Sequence, residues 1–114
     1  VMFTNHYDPA DTSEAVTSFV KADQDKYNGE TPNALAALAY DSLYMVAQAW
    51  ETGATDSATL RDALADQSAV YECVTGTFSL DETGTPAKGA SIIEFSSDGS
   101  KVSTKLNSVV ASVD

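Results

Sequence analysis

The hydrophobic pattern divides the chain into a helical first half and a strand-rich second half. Val1 to Thr4 is apolar and short, and reads as a strand or the end of one. "NHYDPADTSE" is a loop, in which Pro9 opposes an early helix. Asp11 followed by Glu14 suggests a capping box. A helix is predicted from about Ser13 to Tyr27, with Val16, Phe19, Val20 and Tyr27 as its apolar stripe and Lys21, Gln24, Asp25 and Lys26 on the wet side. "NGETP" ends it, with Gly29 suited to a left-handed cap. Pro32 and Asn33 open a second helix that runs to about Thr52 and stops at Gly53. "TDSATLRDALADQ" predicts a third, capped by Thr55 or Asp56, with Leu60, Ala63 and Leu64 inward.

The pattern then changes period. "VYECVTGTFSL" is β-rich, "DETG" is a turn, "ASIIEF" is a strand, "SSDGS" is a turn and "KVSTKL" alternates as a strand does. Asp98-Gly99 is a strong hairpin signal. "NSVVASVD" either extends the last strand or forms a tail. There is no internal repeat.

The second helix is the anomaly. In "PNALAALAYDSLYMVAQAW" (32–50) almost every face is apolar, whereas a surface helix carries one apolar stripe and one wet face. One starting strand and a β-meander offer little sheet for three helices to cover. The order therefore fits part of an α/β protein in which this helix is sandwiched by further sequence. An opening inside a strand points the same way, to a piece of something longer.

Composition narrows the function classes. The 114 residues suffice for one core, and 43% hydrophobic with 20% charged residues favours folding. Six basic against 17 acidic residues give a net charge of -11, which repels nucleic-acid phosphates and anionic lipid headgroups. Nucleic acid is therefore not expected as a partner. One cysteine, Cys73, can form neither an internal disulfide nor a thiolate metal site. No stretch reaches the roughly 18 uncharged apolar residues of a membrane span.

Candidate chemistry is sparse. His6, the single histidine, lies in a loop, and no G-x-S-x-G elbow surrounds any serine, so His6 reads as a loop or hinge residue. "DETG" and "SSDGS" lack the alternating oxygen ligands of a calcium loop and read as turns. The scattered glycines form no phosphate-binding loop. Asp41, the one acid inside an apolar helix, is expected to cap, pair or face a wet edge. Cys73 reads as a small core residue, and Trp50 as packing. No catalytic residue, metal site or cofactor is expected, and the chain is not expected to be an enzyme.

The motifs in order carry a resemblance. "HYDPAD", "KYNGETPNALAALAYDSLYMVAQA", "TDSATLRDALAD", "VTGTFSLDETGTP" and "ASIIEF" resemble the C-terminal third of branched-chain amino-acid-binding proteins, the type I periplasmic solute-binding components of ABC transporters. The likeness runs from Val1 to about Leu106. Leu35 to Asp41 and Val74 to Phe78, with the Asp81–Gly84 turn, are its most specific parts.

That resemblance implies an α/β fold of two lobes joined by crossover strands, with ligand held in the cleft between them. Residues 1–70 would complete the first lobe with helices, after a crossover at Val1 to Thr4. Residues 71–114 would form a β-meander returning through the hinge to the second lobe. It also implies an extracytoplasmic place, a small amino acid as ligand and an ABC permease as partner. At the start of the second helix Leu35 matches a position that touches the ligand's side chain, often aromatic in the family; Ala36 is its neighbour. The groups that grip the ligand's α-carboxylate and α-amino group would lie upstream.

Two other readings are open at this level. One is the ligand-sensing domain of a receptor or amide sensor of the same fold. The other is a self-associating interaction domain. For the chain taken alone, the apolar second helix leads to the expectation of a homo-oligomer.

Overall fold

The computed structural model describes residues 1–99 and, as backbone, the strand 101–106. Its elements are β1 (Met2–Asn5), α1 (Glu14–Lys26), α2 (Ala34–Glu51), α3 (Ser57–Ala65), β2 (Tyr71–Cys73), β3 (Gly76–Phe78), β4 (Ala90–Phe95) and β5 (Lys101–Leu106). The tail "NSVVASVD" lies outside the described residues.

The predicted order of elements stands. The strands after α3 form two sheets, however, and not one meander. β2 and β3 make a tight antiparallel hairpin, whereas β4 pairs with β1 on one side and β5 on the other. The cause is the segment between β3 and β4. Asp81 Oδ1 accepts from the Thr83 and Thr85 amides at 2.8 and 2.9 Å, closing a turn of its own. Lys88 and Gly89 then lead the chain to the first strand.

Helix boundaries follow local chemistry. α1 opens at Glu14 with Ser13 as its cap residue, and no side chain caps it. The expected Asp11–Glu14 box does not form. Asp11 Oδ1 accepts instead from the Ser13 amide at 2.8 Å, an Asx turn that uses the carboxylate before the helix begins. α1 closes with Asn28 and Gly29 both at positive φ, and the Gly29 amide donates to the Gln24 carbonyl at 2.8 Å. This is the six-to-one bond of a Schellman cap, with Asn28 at the position that needs left-handed backbone. Tyr27, predicted for the apolar stripe, falls at this cap and is exposed. α2 is capped by Asn33, whose side chain accepts from the Ala36 amide. α3 has a full capping box between Asp56 and Thr59.

Two small cores lie along one side of α2. Tyr7, Val16, Phe19, Ala37 and Val74 form the first, at the start of the helix. Tyr71, Cys73 and Phe78 form the second, with Met45 and Leu64 packed on it. Among the described residues nothing covers the opposite side of α2: Leu35, Leu43 and Trp50 are 74, 71 and 50% exposed. Spaced by eight, then seven residues, they share one stripe, which also carries Val46. The radius of gyration is 16.0 Å and the thinnest extent 19 Å. A compact chain of this length has a radius near about 13 Å. The fold is a thin slab with one apolar helix face uncovered.

Candidate functional site

The start of α2 is held from below. Tyr7, two residues beyond β1, is buried, and its hydroxyl donates to the Pro32 carbonyl just before the Asn33 cap. Burial, with Asp23 and Asp8 adding to it, raises the Tyr7 pKa. The phenol therefore stays a donor at neutral pH. This anchors the turn that presents Leu35 and Ala36. Leu35 projects outward in the first turn of α2, while Ala36 is half-buried against the first core. The two predicted site residues thus separate by role. Leu35 is an open apolar side chain, and Ala36 packs between α1 and α2. His6, next to Tyr7 in sequence, is exposed.

The second feature is a polar cluster in the middle of the molecule. Asp41 is 3% exposed. Its Oδ1 accepts from the Val74 amide at 2.8 Å, and its Oδ2 accepts from the Thr75 amide at 2.8 Å and the Thr75 hydroxyl at 2.6 Å. The Lys88 ammonium donates to the same Thr75 oxygen at 2.8 Å and lies 5.1 Å from the centre of the Phe78 ring. Burial lowers the Lys88 pKa, while Asp41 opposes that. The expectation that Asp41 is satisfied structurally is met by backbone amides rather than by a wet edge. A carboxylate with three donors offers little further capacity for acid–base work.

Thr75 and Lys88 were not legible as its partners. They lie 34 and 47 positions along the chain, and no local pattern couples such distances. The Asp-after-Tyr interruption of an apolar helix was the one available signal.

A cleft of about 530 Å³ opens between the start of α1, the middle of α2 and the β2–β3 hairpin. Glu14, Tyr40, Tyr44 and Glu72 line it, and Asp41 and Cys73 lie at its inner wall. The Tyr40 pKa is raised to about 12, first by its bond with the Tyr44 hydroxyl. Cys73 is buried as predicted. Burial, aided by Asp41 and opposed by Lys88, pushes its thiol from 9.0 to about 11. Its thiolate population at neutral pH is then about a hundredfold below that of an ordinary thiol. Iodoacetamide is expected to alkylate the folded chain at least that much more slowly than the urea-unfolded chain; equal rates would remove this reading. Between about 9 and 11 the unfolded thiol ionises while the folded one does not, so this group withdraws stability as pH rises.

Among the described residues, no three His, Cys, Asp or Glu side chains are grouped to hold a metal ion, and no helix is long and apolar enough to cross a membrane. The arrangement is one that packs two small cores and presents Leu35 at the head of α2.

Known proteins share this arrangement. A model of the periplasmic binding protein family matches residues 1–100. The substrate-binding protein LivJ of a Streptococcus pneumoniae branched-chain amino acid transporter, crystallised with isoleucine, superposes with a TM-score of 0.77 at 31% identity. The match covers 93% of this chain and 30% of LivJ. The leucine-binding protein LivK of Thermotoga maritima gives 0.73 at 26% identity, over 94% of this chain and 31% of LivK. A solute-binding protein of an R. palustris ABC transporter, crystallised with benzoate, gives 0.77 at 18% identity, over 98% and 31% of the two chains, and testifies to the fold alone. No curated protein sequence matches significantly. The chain thus spans about a third of the length of the solved structures it resembles.

Proposed function

The chain belongs to the periplasmic binding protein family, and from that premise we propose that it is part of the extracytoplasmic solute-binding component of an ABC transporter. The unit captures a branched-chain or related amino acid between two lobes and delivers it to a permease, without covalent chemistry. In this reading residues 1–70 complete one lobe, and residues 71–114 return through the hinge toward the other.

The observation that carries the proposal is the uncovered face of α2. Leu43, Val46 and Trp50 are too apolar for a solvated surface. A sheet supplied by the remaining two thirds of the length seen in LivJ and LivK would bury them. The same cover would leave Leu35, at the tip of that stripe, at the edge of the cleft as an apolar contact for an aliphatic side chain. Ala36, half-buried one residue on, would support it. The 31% identity with LivJ and its isoleucine favour an aliphatic amino acid.

The test is calorimetry on two samples, this chain and the chain together with the sequence encoded upstream of Val1. The longer protein is expected to bind leucine or isoleucine at one site, and this chain alone to bind neither. Leu35→Asp in the longer protein is expected to weaken binding by about tenfold to a hundredfold, since a charge replaces an apolar contact worth roughly 1–3 kcal/mol. Tight leucine binding by this chain alone, or aliphatic binding untouched by Leu35→Asp, would overturn the proposal.

A further inference from the structure

The three-stranded sheet is tied to the rest of the molecule by two specific bonds, one to the turn just before α2 and one, through Thr75, to a residue within α2. β1 and β4 run antiparallel with Asn5 opposite Ser91. The end of β1 and the start of β4 therefore lie side by side, at one end of a ribbon. Tyr7 follows β1 by two residues and bonds the Pro32 carbonyl at the head of α2. Lys88 precedes β4 by two residues and bonds Thr75, which is itself locked to Asp41 in α2. Asn33, the cap residue that follows Pro32, and Asp41 are roughly 12 Å apart at the helical rise. One bond would leave the ribbon free to swivel on the helix. Two bonds at that separation fix its direction.

We propose that Tyr7 and Lys88 are positioning residues that mount the β1–β4 ribbon on α2 at two points, so that bending between lobes falls in the ribbon beyond Asn5 and Ser91 and not at its junction with the helix. The mount itself needs only this chain; its meaning for lobe closure rests on the binding reading above. Several observations make the Lys88 point stiff. Thr75 and Asp41 are buried, and the ammonium has Phe78 on one side. The Lys88 stem lies close to Gly76 of the hairpin, near enough that a methyl group there would meet its Cβ at 3.9 Å. The Asp81 turn and the Ala87 amide bond to the Ser79 carbonyl keep this stretch beside β3. At the Tyr7 point, the ring meets Phe19 edge-on at 6.1 Å between centroids. Charge recognition contributes as well: the lysine faces the Asp41 carboxylate across one shared hydroxyl, a chain of charge-assisted bonds.

The experiment measures distances between spin labels on Glu51→Cys, at the end of α2, and His6→Cys, at the ribbon root. Both positions are exposed. The native Cys73 thiol is buried and stays unlabelled at neutral pH. Labelled chain is diluted into excess unlabelled chain, so that only distances within one molecule are read. A single narrow distribution is expected. Lys88→Met and Tyr7→Phe, which keep most of the side-chain volume, are each expected to broaden it severalfold with the helix content of the circular dichroism spectrum unchanged. A role in stability alone would lower the melting temperature and leave the width as it was. A width unchanged in both variants, or already broad in the parent chain, would overturn the mount. Either result stands apart from the calorimetric test, because no ligand enters this one.

Discussion

Asp41→Ala is expected to destabilise the chain by about 3–5 kcal/mol, the cost of leaving buried charged and polar partners without their counterpart. The substitution orphans the Val74 and Thr75 amides and the Thr75 hydroxyl, all of which point at the carboxylate from within hydrogen-bond distance. It also removes the negative charge that the half-buried Lys88 ammonium faces across the Thr75 hydroxyl. Small domains have only about 5–15 kcal/mol in total, and a slab with two minor cores will sit low in that range. Loss of the cooperative urea transition is the expected extreme. Thr75→Val removes one hydroxyl and its two bonds, to Asp41 and from Lys88, while retaining both amide bonds. It should cost nearer about 1–2 kcal/mol. The comparison is made by urea unfolding followed by far-ultraviolet circular dichroism. An Asp41→Ala midpoint indistinguishable from that of the parent would mean that the cluster is peripheral to folding, contrary to its burial.

The second large effect concerns association. Taken by itself, the chain is expected to self-associate at micromolar concentration through the uncovered side of α2. Full burial of a Leu or Val side chain contributes about 1.5–3 kcal/mol relative to exposure, and four large apolar side chains share this stripe. Their cover in the longer protein would come from its own sheet, so association of the isolated chain is a substitute for that contact. Light scattering is expected to give at least twice the monomer mass. Leu43→Ser, Val46→Ser and Trp50→Ser together are expected to return it to the monomer with the helix content kept, since all three positions face away from both cores. A monodisperse monomer in the parent chain would sink this expectation. The net charge of -11 opposes association, so added salt is expected to strengthen it by screening.

These two effects have opposite visibility in the sequence. The uncovered face was legible, because an 18-residue helix with so few polar positions cannot be half-wet. The burial of Asp41 was legible only as a question. A carboxylate in an apolar run must find partners, but the identity of the partners depends on which turn of the hairpin reaches that turn of the helix.

The sequence by itself determined the elements and their punctuation. Asn33 before an apolar run, Asp56 three residues before Thr59, and glycines where the chain must turn left-handed are local signals, and local hydrogen bonds decide them. Where two local signals competed the reading went wrong, as at Asp11, whose carboxylate closed a turn instead of capping a helix. The motif order also carried the family, since it samples the whole chain at once. What only the tertiary structure decided was pairing at a distance. It set β4 against β1 instead of β3, put Tyr7 under Pro32, and joined Asp41 to Thr75 and Lys88. The reason is that a strand's periodicity states which face is apolar but not which neighbour it meets. A buried charge likewise states that it needs donors but not which ones. Those choices belong to the packing of the chain as a whole, and become definite only when loop lengths, cores and backbone donors are satisfied together.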